Sequence, residues 1–242
     1  MAARLEMSME SLNSFPKPMR ALVIGSSGGI GAAFVRALRA SPVEIQVEEL
    51  HRHSLPSIDF SDESSIQNAA QNMAASGPFH LIINATGILH KSELMPEKKL
   101  SDLQYAQLKS VFEINTFGPA LVMRHFAPLL DSQRGVMVML SAKVGSIEDN
   151  RLGGWYSYRA SKAALNMLVK TAAIELKRSQ KNAVLLALHP GTVQTDLSQP
   201  FRGGSAARHA DEAVADMLHV INLKMPEHSG NFYTYDDQQL PW

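Results

Sequence analysis

Two residues in one segment, Tyr158 and Lys162, have the side chains and the spacing that acid–base catalysis needs. Residues four apart on a helix share a face, so the phenol and the ammonium can converge on one site. A phenol alone, with a pKa near ~10, is a poor proton donor or acceptor at neutral pH. A nearby ammonium favours the phenolate, so we expect Lys162 to lower the pKa of Tyr158 and make it a usable general acid/base. This spacing also occurs by chance, so other motifs must decide its meaning.

A glycine-rich segment near the N-terminus directly follows the apolar run 21–24. The apolar run predicts a buried strand, and the glycines predict a tight turn into a helix. Such a turn allows close backbone approach, and the helix start presents free N–H groups to a pyrophosphate. Two dinucleotide-binding spacings fit, Gly25, Gly29, Gly31 and Gly25, Gly28, Gly31. A strand–helix turn without a ligand is the alternative.

Together with Asn84-Ala85-Thr86-Gly87 and Asn115, these motifs resemble the short-chain dehydrogenase/reductase family. The segments Gly153-Gly154-Trp155-Tyr156 and Pro241-Trp242 resemble its C-factor-like (C-signal) branch. The resemblance covers essentially the whole chain apart from its start. We therefore expect a flexible N-terminal tail over residues 1–18 and one dinucleotide-binding domain over residues 19–242.

Strand and helix patterns alternate along the chain, which predicts an α/β fold. We expect a single doubly wound Rossmann-type domain with a parallel sheet and helices on both faces. Strands are predicted at 21–24, 43–50, 58–60, 79–83, 136–140 and 183–188. Helices are predicted at 29–40, 62–75, 100–130 and 155–178, the third interrupted at Pro119 and Pro128. Only residues 51–57 separate the second and third strands, so the usual family helix there is absent.

The resemblance implies a mechanism in which hydride reaches a carbonyl carbon and Tyr158 protonates the oxygen. Lys162 then holds the nicotinamide ribose, and Asn115 steadies a water in the proton relay. Asn115 could instead bond only to its own helix.

One expected group is missing. The family usually ends its fifth strand in Ser-Ser-x-x-Gly, and the second Ser polarises the substrate carbonyl. This chain has Ser141-Ala142-Lys143-Val144-Gly145, so Ala142 stands at that position. We expect Ser141 to substitute, although adjacent strand residues point to opposite faces and a bulge would be required. Ser146 is a more distant candidate, and slower catalysis or loss of enzyme activity are the alternatives.

The resemblance also implies the cofactor contacts. They are Gly25, Ser27, Gly29, Ile30 and Gly31 in the glycine-rich segment, Asn84, Ala85 and Gly87 after the fourth strand, Tyr158 and Lys162, and Pro190, Gly191, Val193 and Thr195 in a Pro-Gly loop. Residues 197–208 that follow this loop have the composition of a mobile lid.

Cofactor choice depends on the end of the second predicted strand, where a base accommodates the 2′-phosphate of NADP. We assign Arg52 to that phosphate, with His51 in support, and expect NADP rather than NAD. A solvated basic loop is the alternative. Asp59, followed by Phe60, resembles the family's acidic adenine contact, and a turn residue is the equal alternative.

Composition excludes several classes of function. The 242 residues carry no net charge and no Cys, which argues against nucleic-acid partners, disulfides and thiolate metal sites. No metal-ligand spacing appears among the nine His. No apolar run reaches the ~20 residues of a membrane span, and residues 1–17 lack a signal-peptide core. We expect a cytoplasmic protein without membrane partners.

The sequence thus favours an NADP-dependent carbonyl reductase or alcohol dehydrogenase for a small, largely uncharged substrate. The alternative is a cofactor-binding signalling protein with weak or no catalysis, since the C-factor branch is associated with intercellular signalling. A nucleotide-sugar epimerase would need a larger C-terminal domain. The resemblance further implies a homodimer or homotetramer through the helices at 100–130 and 155–178.

Overall fold

Apolar runs of the chain form the six strands of a parallel sheet in the computed structural model, which describes residues 12–90, 95–199, 201 and 207–242. The strands are β1 Met19–Ile24, β2 Ile45–Leu50, β3 Leu81–Asn84, β4 Val136–Leu140, β5 Val184–His189 and β6 Phe232–Thr234. The helices are α1 Gly29–Arg39, α2 Glu63–Met73, α3 Tyr105–Phe112, α4 Gly118–Phe126, α5 Tyr156–Ser179 and α6 Ala210–Leu223. The strand order is β2-β1-β3-β4-β5-β6, and all pairs are parallel.

Helices cover both faces of the sheet, so the predicted doubly wound fold is confirmed. Successive residues of β1 point to opposite faces, because side chains alternate along a strand. Val23 packs into a core with α1 and α6, which contribute residues such as Phe34 and Met217. Leu22 packs into a second core with α2, α4 and α5, which contribute residues such as Phe126.

The predicted strand at 58–60 is wrong. Ile58 and Phe60 are buried, but their segment pairs with no strand. They pack in the core with Leu50, and the Phe60 ring lies so close to Gly118 that a Cβ there would be 2.1 Å from Cδ2. Burial alone therefore explains the apolar pattern. The sixth strand is instead Phe232–Thr234, and β2 is an edge strand.

The predicted helix at 100–130 is divided at the two expected prolines. A π-helical turn, Glu113–Phe117, separates α3 from α4, and a 3₁₀ turn, Ala127–Leu129, contains Pro128. In an α-helix the carbonyl of Asn115 would accept from residue 119, which is Pro119 and has no N–H. The missing donor gives the π turn a local cause, and such turns are frequent at functional sites.

Residues 12–15 pack against the domain through Leu12 and Phe15. Leu12 and Phe15 are both 3% exposed, and the guanidinium of Arg134 lies 4.6 Å from the Phe15 ring centroid. The Ser14 N–H donates to Asn222 Oδ1 at 3.0 Å. The expectation of a flexible tail is therefore corrected for these residues, because the two apolar side chains fill the core. Residues 1–11 lie outside the described residues.

This packing predicts a measurable stability effect. Phe15→Ala is expected to lower the free energy of unfolding by about 3 kcal/mol, as removal of a buried aromatic ring usually does. Urea unfolding of the full chain measures it. Leu55→Ala is the control, since Leu55 is 100% exposed. Equal midpoints for the two variants would contradict the docking of the segment.

In the part of the chain that the structure describes, no helix combines the length and apolarity needed to cross a bilayer. Within the same residues, no group of three or more His, Asp or Glu side chains is arranged to hold a metal ion. Several charged side chains form ion pairs at the surface. In one of them Arg36 Nη2 lies 2.6 Å from Asp211 Oδ1.

Candidate active site

The carboxyl ends of the central strands open onto a cavity of about 300 Å³. Ligands of doubly wound folds bind at this edge, where the strand order reverses. Here the reversal lies between β1 and β3. Many of the predicted site residues line the cavity, namely Ile30, Ala85, Gly87, Ser141, Tyr158, Lys162, Pro190, Gly191, Val193 and Thr195.

Tyr158 and Lys162 lie on α5 and face the same cavity. Lys162 Nζ is 5.9 Å from the centroid of the Tyr158 ring and donates to the carbonyl of Leu140 at 3.0 Å. Lys162 is only 3% exposed. A Cβ on Gly87 would be 3.4 Å from Nζ, so Gly87 gives the ammonium its space. The predicted convergence of phenol and ammonium is present.

The protonation of this pair differs from the sequence expectation. Burial raises the pKa of Tyr158 to about 12 and lowers the pKa of Lys162 to about 8. In the protein alone, desolvation is the cause of both shifts, and the expected lowering of the Tyr158 pKa by Lys162 is not found. At neutral pH the phenol is protonated, which is the form that can donate a proton.

Asn115 is held in the π turn, where both the oxygen and the nitrogen of its side-chain amide have hydrogen-bond partners. Its Oδ1 accepts from the Ile88 N–H at 2.8 Å, and its Nδ2 donates to the Ile88 carbonyl at 2.8 Å and to Ser161 Oγ at 3.1 Å. The amide therefore ties the loop after β3 to α5. Because Pro119 offers no N–H to the backbone carbonyl of Asn115, we assign any relay water to that carbonyl.

Ser141 does not occupy the place of the missing hydroxyl. Its Oγ donates to Asn166 Oδ1 on α5 at 2.7 Å, and both residues are buried. Ala142 lines the cavity at the position of the family serine. The Ser146 hydroxyl accepts from the Asp149 N–H at 3.1 Å. The expected substitution by Ser141 is therefore corrected, because the strand alternation aims its hydroxyl at the helix.

The glycine-rich turn between β1 and α1 is shaped to admit a backbone-bound ligand. Gly25 has φ +83°, and a Cβ on Gly31 would be 2.1 Å from the Gly25 carbonyl oxygen. A Cβ on Gly29 would be 2.7 Å from Thr195 Cγ2, whereas one on Gly28 meets nothing closer than 3.4 Å. The spacing Gly25, Gly29, Gly31 is thus the one that the structure requires.

This turn fits a dinucleotide. No side chain caps the start of α1, so the first N–H groups of the helix are free for a pyrophosphate. Ile30 lines the cavity beside the turn, and Ser27 is exposed on it. Thr195, from the Pro-Gly loop, packs on Gly29. The donors and the open space are those that NAD or NADP needs.

The segment after β3 braces the turn. Asn84 is 2% exposed, and its Oδ1 accepts from the Thr86 hydroxyl at 2.7 Å. The Thr86 methyl in turn packs on Gly25, where a Cβ would be 2.8 Å from it. Ala85 and Gly87 face the cavity. Asn84 thus supports the glycine-rich turn through Thr86.

The proposed adenosine end lies after β2. Arg52 is exposed, and its charge adds to the Ser61 hydrogen bonds that lower the pKa of Asp59. His51 Nδ1 accepts from the His53 N–H at 3.1 Å, which orients its ring. The Phe60 side chain is buried against the core, so only its backbone remains for a cofactor.

The Pro-Gly loop, residues 189–196, continues β5 into the cavity. Gly191 has φ +79°, and a Cβ there would be 2.8 Å from the Tyr235 ring. The Val193 carbonyl accepts from Ser198 Oγ at 2.6 Å, which anchors the segment that follows. Of the predicted lid, Pro200 and residues 202–206 lie outside the described residues.

Aromatic rings form the mouth of the cavity. The Trp155 ring centroid is 5.1 Å from that of Phe201 and 6.3 Å from that of Tyr158. Trp155 has φ 53°, after two glycines that also have positive φ. The backbone N–H of Trp155 donates to the backbone carbonyl of Glu97. The Glu97 carboxylate accepts from the backbone N–H of Ser157 at 3.1 Å.

Sequence reasoning missed two of these residues. Glu97 is 2% exposed and holds the start of α5, yet nothing in its sequence surroundings distinguishes it from a surface glutamate. His189 lines the cavity at the end of β5. A polar residue closing the apolar run 183–188 was a signal that could have found it.

Comparison with known proteins agrees with this geometry. A family model described as short chain dehydrogenase matches residues 19–205. C-signal of Myxococcus xanthus is 37% identical over 170 residues, which cover 69% of this chain and 95% of C-signal. A 1-hydroxy-2-glutathionyl-2-methyl-3-butene dehydrogenase of Rhodococcus sp. strain AD45 is 33% identical. The aligned region covers 77% of this chain and 79% of the Rhodococcus protein. The NADPH-bound carbonyl reductase from chicken fatty liver superposes with a TM-score of 0.79 at 25% identity, over 93% of this chain and 94% of its own.

Proposed function

The chain belongs to the short-chain dehydrogenase/reductase family, and on that premise we propose that it is an NADP-dependent reductase that converts a carbonyl to an alcohol. One observation carries the proposal. Tyr158, Lys162, the turn residue Ile30 and the Pro-Gly loop line a single cavity. A proton donor, a cation and a dinucleotide cradle therefore meet where a carbonyl could bind. The similarity to the chicken enzyme, an NADPH-bound carbonyl reductase, supports the same reaction class.

In the proposed mechanism the reduced nicotinamide, when bound, supplies the hydride. Tyr158 donates its phenolic proton to the carbonyl oxygen as negative charge develops there. Lys162 stabilises the phenolate that results and binds the nicotinamide ribose. A water held by the backbone carbonyl of Asn115 returns a proton through Lys162 to Tyr158.

The pKa of Lys162 sets the expected pH dependence. Since burial lowers that pKa to about 8, Lys162 loses its charge above this pH, while Tyr158, with a pKa of about 12, stays protonated. We expect kcat/KM for NADPH in carbonyl reduction to fall as pH rises through about 8, because this parameter reports ionisations of the enzyme without cofactor. Initial rates from about pH 6 to about pH 10 measure it. A profile that stays flat to about pH 10 would contradict the role of Lys162.

Arg52 supports the choice of NADP over NAD. It is an exposed base at the carboxyl end of β2, where a 2′-phosphate is bound in this fold class. Arg52→Ser is expected to raise the KM for NADPH by about tenfold or more and to leave the KM for NADH nearly unchanged, as loss of a charge-assisted hydrogen bond does. Arg39→Ser is the matched control, since Arg39 is an exposed base paired with Glu49 at 2.7 Å. A parallel change for both cofactors would argue against Arg52 as the phosphate contact.

The lining of the cavity supports a small, largely uncharged substrate. Its mouth consists of apolar side chains, including Leu89, Trp155 and Phe201. Among the described residues that line the cavity, Lys143 is the one lysine besides Lys162, and its Nζ lies 3.5 Å from Asp149 Oδ1. An anionic substrate would have to compete with that carboxylate.

Exposed apolar side chains support a homodimer or homotetramer. Met167 and Ile174 on α5 are 66% and 52% exposed, and Phe117 beside α4 is 51% exposed. Burial of these apolar side chains between two copies of the chain would remove them from water, which is energetically favourable. Sedimentation of the purified chain measures the assembly directly.

A cofactor-binding signalling protein is the second candidate. Two observations favour it, the absence of a hydroxyl at Ala142 and the similarity to C-signal. Loss of one oxyanion donor typically lowers a rate by ~100- to 1000-fold. Tight NADPH binding without turnover of any carbonyl would select this second candidate.

A further inference from the structure

Ala142 leaves the proposed reaction without the hydrogen bond that a hydroxyl gives the substrate oxygen. Leu140 pairs with Leu188 in the sheet register, which brings another polar residue beside Ser141, one position before Ala142. The Ser141 N–H donates to the Leu188 carbonyl at 2.8 Å, so the residue after Leu188 lies beside the end of β4. That residue is His189, and it lines the same cavity as Tyr158.

The other polar side chains of the cavity that could donate are mostly engaged. The pairs are Ser141 with Asn166, Lys143 with Asp149, Lys162 with the Leu140 carbonyl, Thr86 with Asn84, and Ser198 with the Val193 carbonyl. His189 is different. Its Nδ1 is buried without a partner, and neither ring nitrogen has a hydrogen-bond partner among the described residues. Nε2 is not among the buried atoms, so it is the ring nitrogen that a ligand in the cavity can reach.

The surroundings of His189 keep the ring neutral. Burial is the main cause that lowers its pKa to about 4, the charge of Lys143 adds to the effect, and Asp236 opposes it. A neutral imidazole carries one N–H donor and one acceptor nitrogen. It can therefore donate a hydrogen bond to a carbonyl oxygen without giving up its proton and without competing with Tyr158 as the acid.

We propose that His189 donates a hydrogen bond to the carbonyl oxygen of the substrate, in the role that a hydroxyl at position 142 would have. The proton stays on the imidazole throughout. Tyr158 alone transfers a proton, to the same oxygen, as the carbonyl carbon accepts hydride. The inference rests on the proposed reductase function and assigns the electrophilic group of that site to β5 instead of β4.

Two substitutions test this role. His189→Leu removes the donor, and kcat is expected to fall by about 100- to 1000-fold, as for other oxyanion donors, while the dissociation constant for NADPH stays within about twofold. His189→Gln keeps an N–H close to the position of Nε2 and is expected to recover at least about tenfold of that loss. Adding Ala142→Ser to His189→Leu is also expected to restore turnover, because it returns a hydroxyl to the family position.

The dependence of the rate on the electronic character of the carbonyl separates a catalytic role of His189 from a packing role. Polarisation matters most for an unactivated carbonyl, so His189→Leu should slow the reduction of para-methoxybenzaldehyde more than that of para-nitrobenzaldehyde. If these aldehydes are poor substrates, a pair matched in size from any carbonyl panel replaces them. His125→Leu is the matched control, because His125 on α4 also has a buried ring nitrogen without a hydrogen bond but does not line the cavity. We expect it to keep the kcat of the unmodified chain.

Three results would overturn the role of His189 while leaving the reductase in place. They are a kcat for His189→Leu within about twofold of that of the unmodified chain, a loss explained by weaker NADPH binding, and equal losses for both aldehydes. An unmodified chain that binds NADPH but reduces no carbonyl would overturn the proposed function, and the role of His189 with it.

Discussion

Tyr158→Phe is expected to abolish carbonyl reduction while the protein still folds and binds NADPH. The substitution removes only the hydroxyl, and with it the proton that the proposed mechanism delivers to the substrate oxygen. Loss of a general acid typically costs ~100- to 10,000-fold in rate. The ring remains in the cavity wall, so packing against Trp155 is preserved. Turnover at saturating NADPH, with thermal unfolding and cofactor titration in parallel, measures the effect.

Tyr156→Phe is the matched control. Tyr156 lies two residues earlier on the same helix, is 36% exposed and does not line the cavity. We expect its turnover to equal that of the unmodified chain. If Tyr158→Phe retained turnover within about tenfold, Tyr158 could not be the proton donor, and another group in the cavity would have to be.

Gly31→Ala is expected to disable cofactor binding. The new Cβ would lie 2.1 Å from the Gly25 carbonyl oxygen and 3.1 Å from Ser26 Cα, and both are backbone atoms that cannot rotate away. The turn between β1 and α1 must therefore open, which displaces the N–H groups that bind the pyrophosphate. We expect NADPH affinity to fall by at least about 100-fold, which corresponds to about 2.7 kcal/mol of strain.

Gly28→Ala is the control for this substitution. A Cβ there would make only an ordinary contact of 3.4 Å with the same carbonyl, and the backbone has φ −80°. We expect its NADPH affinity to stay within a few-fold of that of the unmodified chain. Equal losses at both positions would mean that the turn tolerates no side chain at all, and the steric argument for Gly31 would be wrong.

Motifs whose chemistry depends on backbone placement could be predicted from the sequence. The glycine-rich turn, the Tyr158–Lys162 helix face and the Pro-Gly loop all follow strands or lie on one helix, so local pattern determines their position. The fold class followed from the alternation of strands and helices. The strand predicted at 58–60 was wrong, because the apolar residues of this segment pack in the core without joining the sheet.

The direction of individual side chains could not be predicted. Ser141 is adjacent to Ala142, but only the structure reveals that its hydroxyl bonds to Asn166, 25 residues away in sequence. The pKa of Tyr158 depends on burial that no motif encodes. His189 is identified because the other polar side chains of the cavity already have hydrogen-bond partners, and only the folded structure shows those partners.

The most direct test is NADPH consumption by the purified full chain against a broad panel of aldehydes, ketones and diketones, with NADH in parallel. We expect turnover of at least one carbonyl and a faster rate with NADPH than with NADH. No consumption on any carbonyl, by protein shown to be folded and to bind NADPH, would contradict the reductase and leave the cofactor-binding signalling protein as the account of this site.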